Sequence, residues 1–134
     1  MNLESYISDI DQYKEMADGL QEDNPAMLLK KIEILSKCLS LIGDVSAECD
    51  RLYKRIHVKR DTEYAKAYIS ADRPKKENDE LAITAWRQTE AEAYGRMQHY
   101  RNEFDSTREI IHSLKLKMKM NFADGTIGSR YQGN

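Results

Sequence analysis

An all-α fold is what this sequence predicts: a short N-terminal helix followed by a long helical hairpin, coiled-coil-like and oligomeric. Three observations predict it. Apolar residues recur at alternating steps of three and four through two stretches of about thirty residues each. No strand-like alternation is evident anywhere along the chain. With 33% charged and 8% aromatic residues in 134, the composition also argues against a deep globular core and for extended helical packing.

The first helix is expected over residues 3–18, where Leu3, Tyr6, Ile7, Ile10, Tyr13 and Ala17 share one face. Gly19 and the acidic run at Gln21–Asp23 end it. Asn24 before Pro25 is a restart signal, because Asn caps free amides and Pro suits the first helical turn.

The second helix is expected over 25–70. Its stripe reads Leu28, Ile32, Leu35, Leu39, Ile42, Ser46, Cys49, Tyr53 and Ile56, and Ser46 alone breaks it. Gly43 weakens the helix by roughly 1 kcal/mol relative to Ala without ending it. Beyond Ile56 the stripe positions fall to Arg60 and Glu63. Pro74 disfavours helix at Arg73, and Asp72–Lys76 reads as an exposed basic connection.

A third helix is expected over 77–121. Trp86, Glu90, Ala93, Met97, Tyr100, Phe104, Thr107, Ile111, Leu114 and Met118 keep the same spacing, with Glu90 and Thr107 as polar exceptions. Residues 1–121 form one helical domain on this reading. Residues 122–134 follow as a flexible tail, in which Arg130 and Tyr131 are candidates for docking. Helices this long span on the order of 60 Å and bury their stripes against each other or another subunit, so a homo-oligomer is expected.

Several chemistries are argued against. Glu109 and His112 make a single Glu-x-x-His element where a di-iron bundle needs two, and Lys54 and Arg96 stand three residues before the other histidines. Cys38 and Cys49 lack zinc-ligand spacing. They stand about 16 Å apart along one helix, beyond disulfide reach. Glu77 and Glu80 invite comparison with the carboxylates of all-helical nucleotide pyrophosphatases, but no downstream Glu-x-x-Asp follows. With no phosphate-binding glycine loop or nucleophile elbow, the expectation is a non-enzyme with no metal and no cofactor. No apolar run approaches the roughly 18 residues of a membrane span. The N-terminus lacks signal-peptide organisation, so a cytoplasmic location without membrane partners is expected.

Charge is the most informative pattern. The net charge of −2 divides into −6 over residues 1–24, −1 over 25–50, +6 over 51–76, −4 over 77–105 and +3 over 106–134. Segregation of this kind is an argument about partners. Within the basic segment Arg51, Arg55, Lys59 and Lys66 fall within roughly 80° on a helix, while Lys54, His57 and Arg60 lie on other flanks. Arg73, Lys75 and Lys76 continue the segment, and Lys115, Lys117 and Lys119 form a further group. Cations one turn apart suit a phosphate backbone. Tyr53, Tyr64 and Tyr68 offer stacking for single-stranded bases.

The stretch RLYKRIHVKRDTEYAKAYISAD, Arg51–Asp72, followed by an acid-rich helix and a final LKLKMKM, resembles the UvsY-type recombination mediators of bacteriophages over residues 50–120. The resemblance implies a helical homo-oligomer that binds single-stranded DNA and helps load a recombinase while single-strand binding protein is displaced. It implies Lys59, Arg60 and Lys66 as DNA contacts, and host-cell cytoplasm as the location. The acidic first helix and the tail have no counterpart in that pattern.

The expected function is therefore a phage-type single-stranded DNA-binding mediator. Its phosphate contacts would come from Arg51, Lys54, Arg55, Lys59, Arg60, Lys66, Arg73, Lys75 and Lys76. Its oligomer stripes would be Leu28, Ile32, Leu35, Leu39, Ile42 and Ile56 with Trp86, Met97, Tyr100, Phe104, Ile111 and Leu114. The rival is a helical scaffold, adaptor or phage-encoded inhibitor whose stripes bind a protein partner and whose cations only solvate the surface.

Overall fold

The computed structural model describes residues 1–69 and 76–123, the side chains at 67, 68, 76–79 and 123 excepted. The fold is all-α, with no strand among the described residues. Helix α1 spans Leu3–Asp18, α2 spans Pro25–Ile69 and α3 spans Lys76–Met118.

The helix ends follow from local chemistry. Asn2 caps α1 by accepting from the Ser5 amide at 3.1 Å. At the other end the Gly19 amide donates back to the Glu15 carbonyl at 3.3 Å. The Asn24 side chain accepts from the amides of Ala26 at 2.9 Å and Met27 at 3.2 Å, and its carbonyl takes the Leu28 amide at 2.8 Å. Pro25 occupies the first position of α2, where the missing amide costs nothing. The third helix begins at residue 76 and stops before the expected residue 121. A π-helical turn, Lys119–Ala123, replaces its end. That wider turn accompanies the packing of Phe122 against the core. The basic connection at residues 72–75, with Arg73 and Lys75, and residues 124–134 of the tail, with Arg130 and Tyr131, lie outside the described residues.

The chain divides into two compact units, Met1–Val45 with Asn102–Asn134, and Ser46–Arg101. In the first, three helices enclose a core. Ala17 of α1, Leu28, Ile32, Ile34 and Leu35 of α2, and Ile111 and Leu114 of α3 form one buried cluster, with Tyr13, Leu20, Leu39, Met118 and Phe122 packed against it. Each buried Leu or Ile of the cluster contributes about 1.5–3 kcal/mol relative to exposure. The α2 stripe here is wider than the row from Leu28 to Ile42, because Ile34, Cys38 and Val45 are buried on a second row. Cys38 Sγ lies 3.7 Å from the Ile10 carbonyl, so α1 covers that row. Burial pushes the Cys38 thiol above its ordinary pKa, which keeps it protonated and apolar in character.

Ion pairs centred on Glu103 and Glu22 fasten this unit. Lys14 of α1 pairs with Glu103 of α3. Glu22, in the α1–α2 connection, accepts from Lys31 at 3.1 Å and Lys117 at 3.2 Å, and these hydrogen bonds hold its carboxyl below the usual range. Gly43 has a packing role that helix propensity does not show: a Cβ there would stand 3.3 Å from the Phe104 ring.

In the Ser46–Arg101 unit only α2 and α3 contribute, and they run antiparallel. Asp50 faces Arg101, Tyr53 faces Tyr94, and His57 faces Glu90. Cys49 and Met97 are its only buried hydrophobic residues among those described, while Ile56, Trp86, Ala93 and Tyr100 are half-buried. Two helices bury one mutual seam and leave the flanks of each open. Among the described residues no buried side-chain nitrogen or oxygen lacks a hydrogen-bond partner. No helix among them is long and apolar enough to cross a membrane.

Candidate nucleic-acid interface

The basic segment of α2 lies in the two-helix unit, and the antiparallel pairing sorts its cations into two sets. Cys49, Tyr53, Ile56 and Arg60 occupy the side of α2 turned to α3; at about 100° per residue, Arg60 lies roughly opposite Arg51. Arg51, Lys54, Arg55, Lys59 and Lys66 are exposed. On α2 they occupy an arc of about 140°, shared between residues 51 and 66 with Val58, Thr62 and Ala65 and with no carboxylate. Arg51, Arg55 and Lys59 follow one another at about 6 Å along the axis.

Individual cations of this row differ in how they are held. Arg51 donates to Glu48 through Nε at 2.9 Å and through its terminal nitrogen, and those bonds hold the Glu48 carboxyl below its usual range. Lys66 lies 3.7 Å from Glu63. Lys54 and Arg55 make no ion pair or hydrogen bond among the described residues. Lys59 Nζ stands 5.2 Å from the centroid of the Trp86 ring, close enough for a cation–π attraction.

Arg60, which the sequence reading groups with the phosphate contacts, belongs to a different arrangement. Its side chain is 22% exposed, donates through Nε to Glu90, and lies 3.1 Å from Asp61. Glu90 also meets His57 Nδ1 at 3.3 Å, and His57 Nε2 lies 3.4 Å from Asp61. Burial by itself raises the Glu90 carboxyl, but the hydrogen bonds from His57 and Arg60 together outweigh it and leave the pKa below its ordinary value. The polar residue in the α3 stripe is thus answered by a cation in the α2 stripe. Arg60 is committed to this seam.

The tyrosines are likewise divided. Tyr53 is half-buried and meets Tyr94 edge-on at 5.5 Å, while Tyr64 is exposed with the Arg87 guanidinium 5.9 Å from its ring centroid. The Tyr68 side chain lies outside the described residues, as does that of Lys76. Sequence reading passed over Arg87 and the pairing of Lys59 with Trp86. The available signal was LAITAWRQT, residues 81–89, a stretch with no acid and one cation inside an otherwise acidic segment. The second basic group sits in the three-helix unit, where Lys117 is engaged by Glu22 and Lys115 and Lys119 are exposed. Glu109 and His112 are exposed as well, and no three metal-ligating side chains converge among the described residues. Comparison of the chain with protein-family models, curated proteins and solved structures finds no match.

Proposed function

We propose that this chain is a non-enzymatic, single-stranded nucleic-acid-binding protein that contacts phosphates through the exposed row Arg51, Lys54, Arg55, Lys59 and Lys66. The observation that carries the reading is the absence of any carboxylate from that arc of α2 between residues 51 and 66, in a chain whose net charge is −2. The Glu48 and Glu63 contacts do not oppose it. Exposed ion pairs contribute about 0–1 kcal/mol, so a phosphate can replace the carboxylate at little cost. The cation–π pair of Lys59 and Trp86 supplies an aromatic face for unpaired bases beside the row. Following the resemblance of the basic segment, the finer reading is a recombination mediator that presents single-stranded DNA to a recombinase in the host-cell cytoplasm.

Fluorescence anisotropy with a labelled single-stranded oligonucleotide, at low and moderate salt and beside a duplex control, tests this. The expected outcome is preference for the single strand, with affinity falling as salt rises and about ten-fold or greater loss in the combined Arg55→Ala, Lys59→Ala, Lys66→Ala variant. Arg60→Ala is expected to act on stability instead. Absence of binding to either oligonucleotide at micromolar protein and low salt sinks the proposal.

A second reading, a helical scaffold or inhibitor that binds a protein partner, is favoured by a separate observation. In the two-helix unit Val58 and Leu81 are 63% and 70% exposed. On that reading the triple variant changes nothing in partner capture, whereas Val58→Asp or Leu81→Asp abolishes it.

A further inference from the structure

The two-helix unit has an open groove of about 230 Å³ between α2 and α3. Leu52 and Ile56, with Cys49, form its α2 wall; Glu92, Ala93 and Arg96, with Thr89, form the α3 wall. Thr89 donates its hydroxyl to the Ala85 carbonyl at 3.0 Å, so its polar atom is already satisfied within α3. In the three-helix unit, α2 and α3 bury their apolar residues with the help of α1. Nothing among the described residues of the two-helix unit plays that part.

The charges on the groove point to the occupant. Glu92 and Arg96 stand one turn apart on α3, are exposed, and make no ion pair or hydrogen bond among the described residues. An i, i+4 pair of opposite charges is self-complementary under a two-fold axis passing between its members. In an antiparallel approach of two α3 helices, Glu92 of each copy meets Arg96 of the other. The apolar wall obeys the same symmetry. The pairings of Asp50 with Arg101 and of His57 with Glu90 put Leu52 about level with Arg96 and Ile56 about level with Glu92. The axis that joins the charges therefore also brings Leu52 and Ile56 of one copy against those of the other.

We infer that this groove is the self-association surface of the chain, closed by the same groove of a second copy in a two-fold dimer registered by reciprocal Glu92–Arg96 pairs. None of Arg51, Lys54, Arg55, Lys59 and Lys66 lines the groove, and a dimer carries two phosphate-binding rows in place of one. The dimer does not depend on nucleic-acid binding. Its failure and that of the proposed function are therefore distinguishable.

Charge reversal provides the test. Sedimentation velocity over a concentration series is expected to give a dimer for the unaltered chain. Glu92→Arg alone and Arg96→Glu alone each place like charges in both symmetric contacts and should weaken dimerisation by roughly 100-fold. An equimolar mixture of the two single variants restores complementarity in the heterodimer and should recover the dimer, as should the double variant E92R/R96E. Circular dichroism of each single variant checks that its helices remain, and recovery on mixing shows that both variants are folded. A monomeric unaltered chain at high concentration, single variants that associate as the unaltered chain does, or a mixture that stays monomeric would each overturn the proposal.

Discussion

The same two helices pass through both units of this protein and meet different fates in them. In Met1–Val45 with Asn102–Asn134, buried residues line two rows of α2, because α3 covers one and α1 the other. In Ser46–Arg101 the stripe continues at the same three-and-four spacing, yet Cys49 and Met97 are its only buried hydrophobic members among the described residues. Burial is therefore a property of the number of helices that meet at a residue, and not of the apolar period alone. The two-helix unit compensates with polar seams, Glu90 against Arg60 and His57, and Asp50 against Arg101.

The largest expected contrast follows directly. Leu28→Ala, in the enclosed core, should cost about 2–5 kcal/mol, whereas Ile56→Ala, at a half-buried position, should cost about 1 kcal/mol. Urea unfolding followed by circular dichroism measures both. That contrast is expected at concentrations where the chain is monomeric. Where the dimer forms, the cost at Ile56 should rise toward that at Leu28. Equal costs in the monomer would mean that the two-helix seam is as enclosed as the three-helix core.

A smaller effect is electrostatic. The Glu90 carboxyl is held below its ordinary pKa in the folded chain, so the stability it contributes is present above the unfolded value and is lost as pH falls through the folded one. Glu22 has the same sign in the other unit. Melting followed as a function of pH should therefore show destabilisation on acidification. Glu90→Gln should remove part of that dependence and cost roughly 1 kcal/mol at neutral pH. An unchanged acid dependence in that variant would show that the seam carries no net electrostatic stabilisation.

The glycines give the smallest and sharpest comparison. A Cβ at Gly95 meets nothing within 4 Å, so Gly95→Ala should stabilise by about 0.5–1 kcal/mol through helix propensity alone. At Gly43 the same gain is opposed by the Phe104 ring 3.3 Å from the new carbon, and Gly43→Ala should fall short of Gly95→Ala. Thermal melts of the two variants, measured side by side, separate propensity from packing. A larger gain at Gly43 would mean that Phe104 yields freely.

Much of the helix layout was legible because its signals are local. Asn24 with Pro25 marked the start of α2, and the steps from Leu28 to Ile42 and from Trp86 to Met118 marked the seams. The π turn at Lys119–Ala123 had no local signal, since it accompanies the seating of Phe122 on a core assembled from distant segments. Ile34 and Val45 fell off the single stripe for the same reason: nothing near them in sequence announces that α1 will cover a second row. The candidate site was legible as a basic run, Arg51–Lys66, but not as a surface. Periodicity already separates the adjacent cations, with Lys59 on the basic row and Arg60 at a stripe position, but their partners come from the antiparallel helix, which places Glu90 beside Arg60 and Trp86 beside Lys59.

By itself, then, the amino-acid sequence determined which segments are helical, where α2 begins and how charge alternates along the chain, since these depend on capping, periodicity and residue type within a few turns. Tertiary structure alone decided which cations remain available, which glycine is a packing residue and which stretch of α2 needs a second apolar row. Those properties depend on side chains contributed by residues tens of positions away, and such contacts leave no trace in the local pattern.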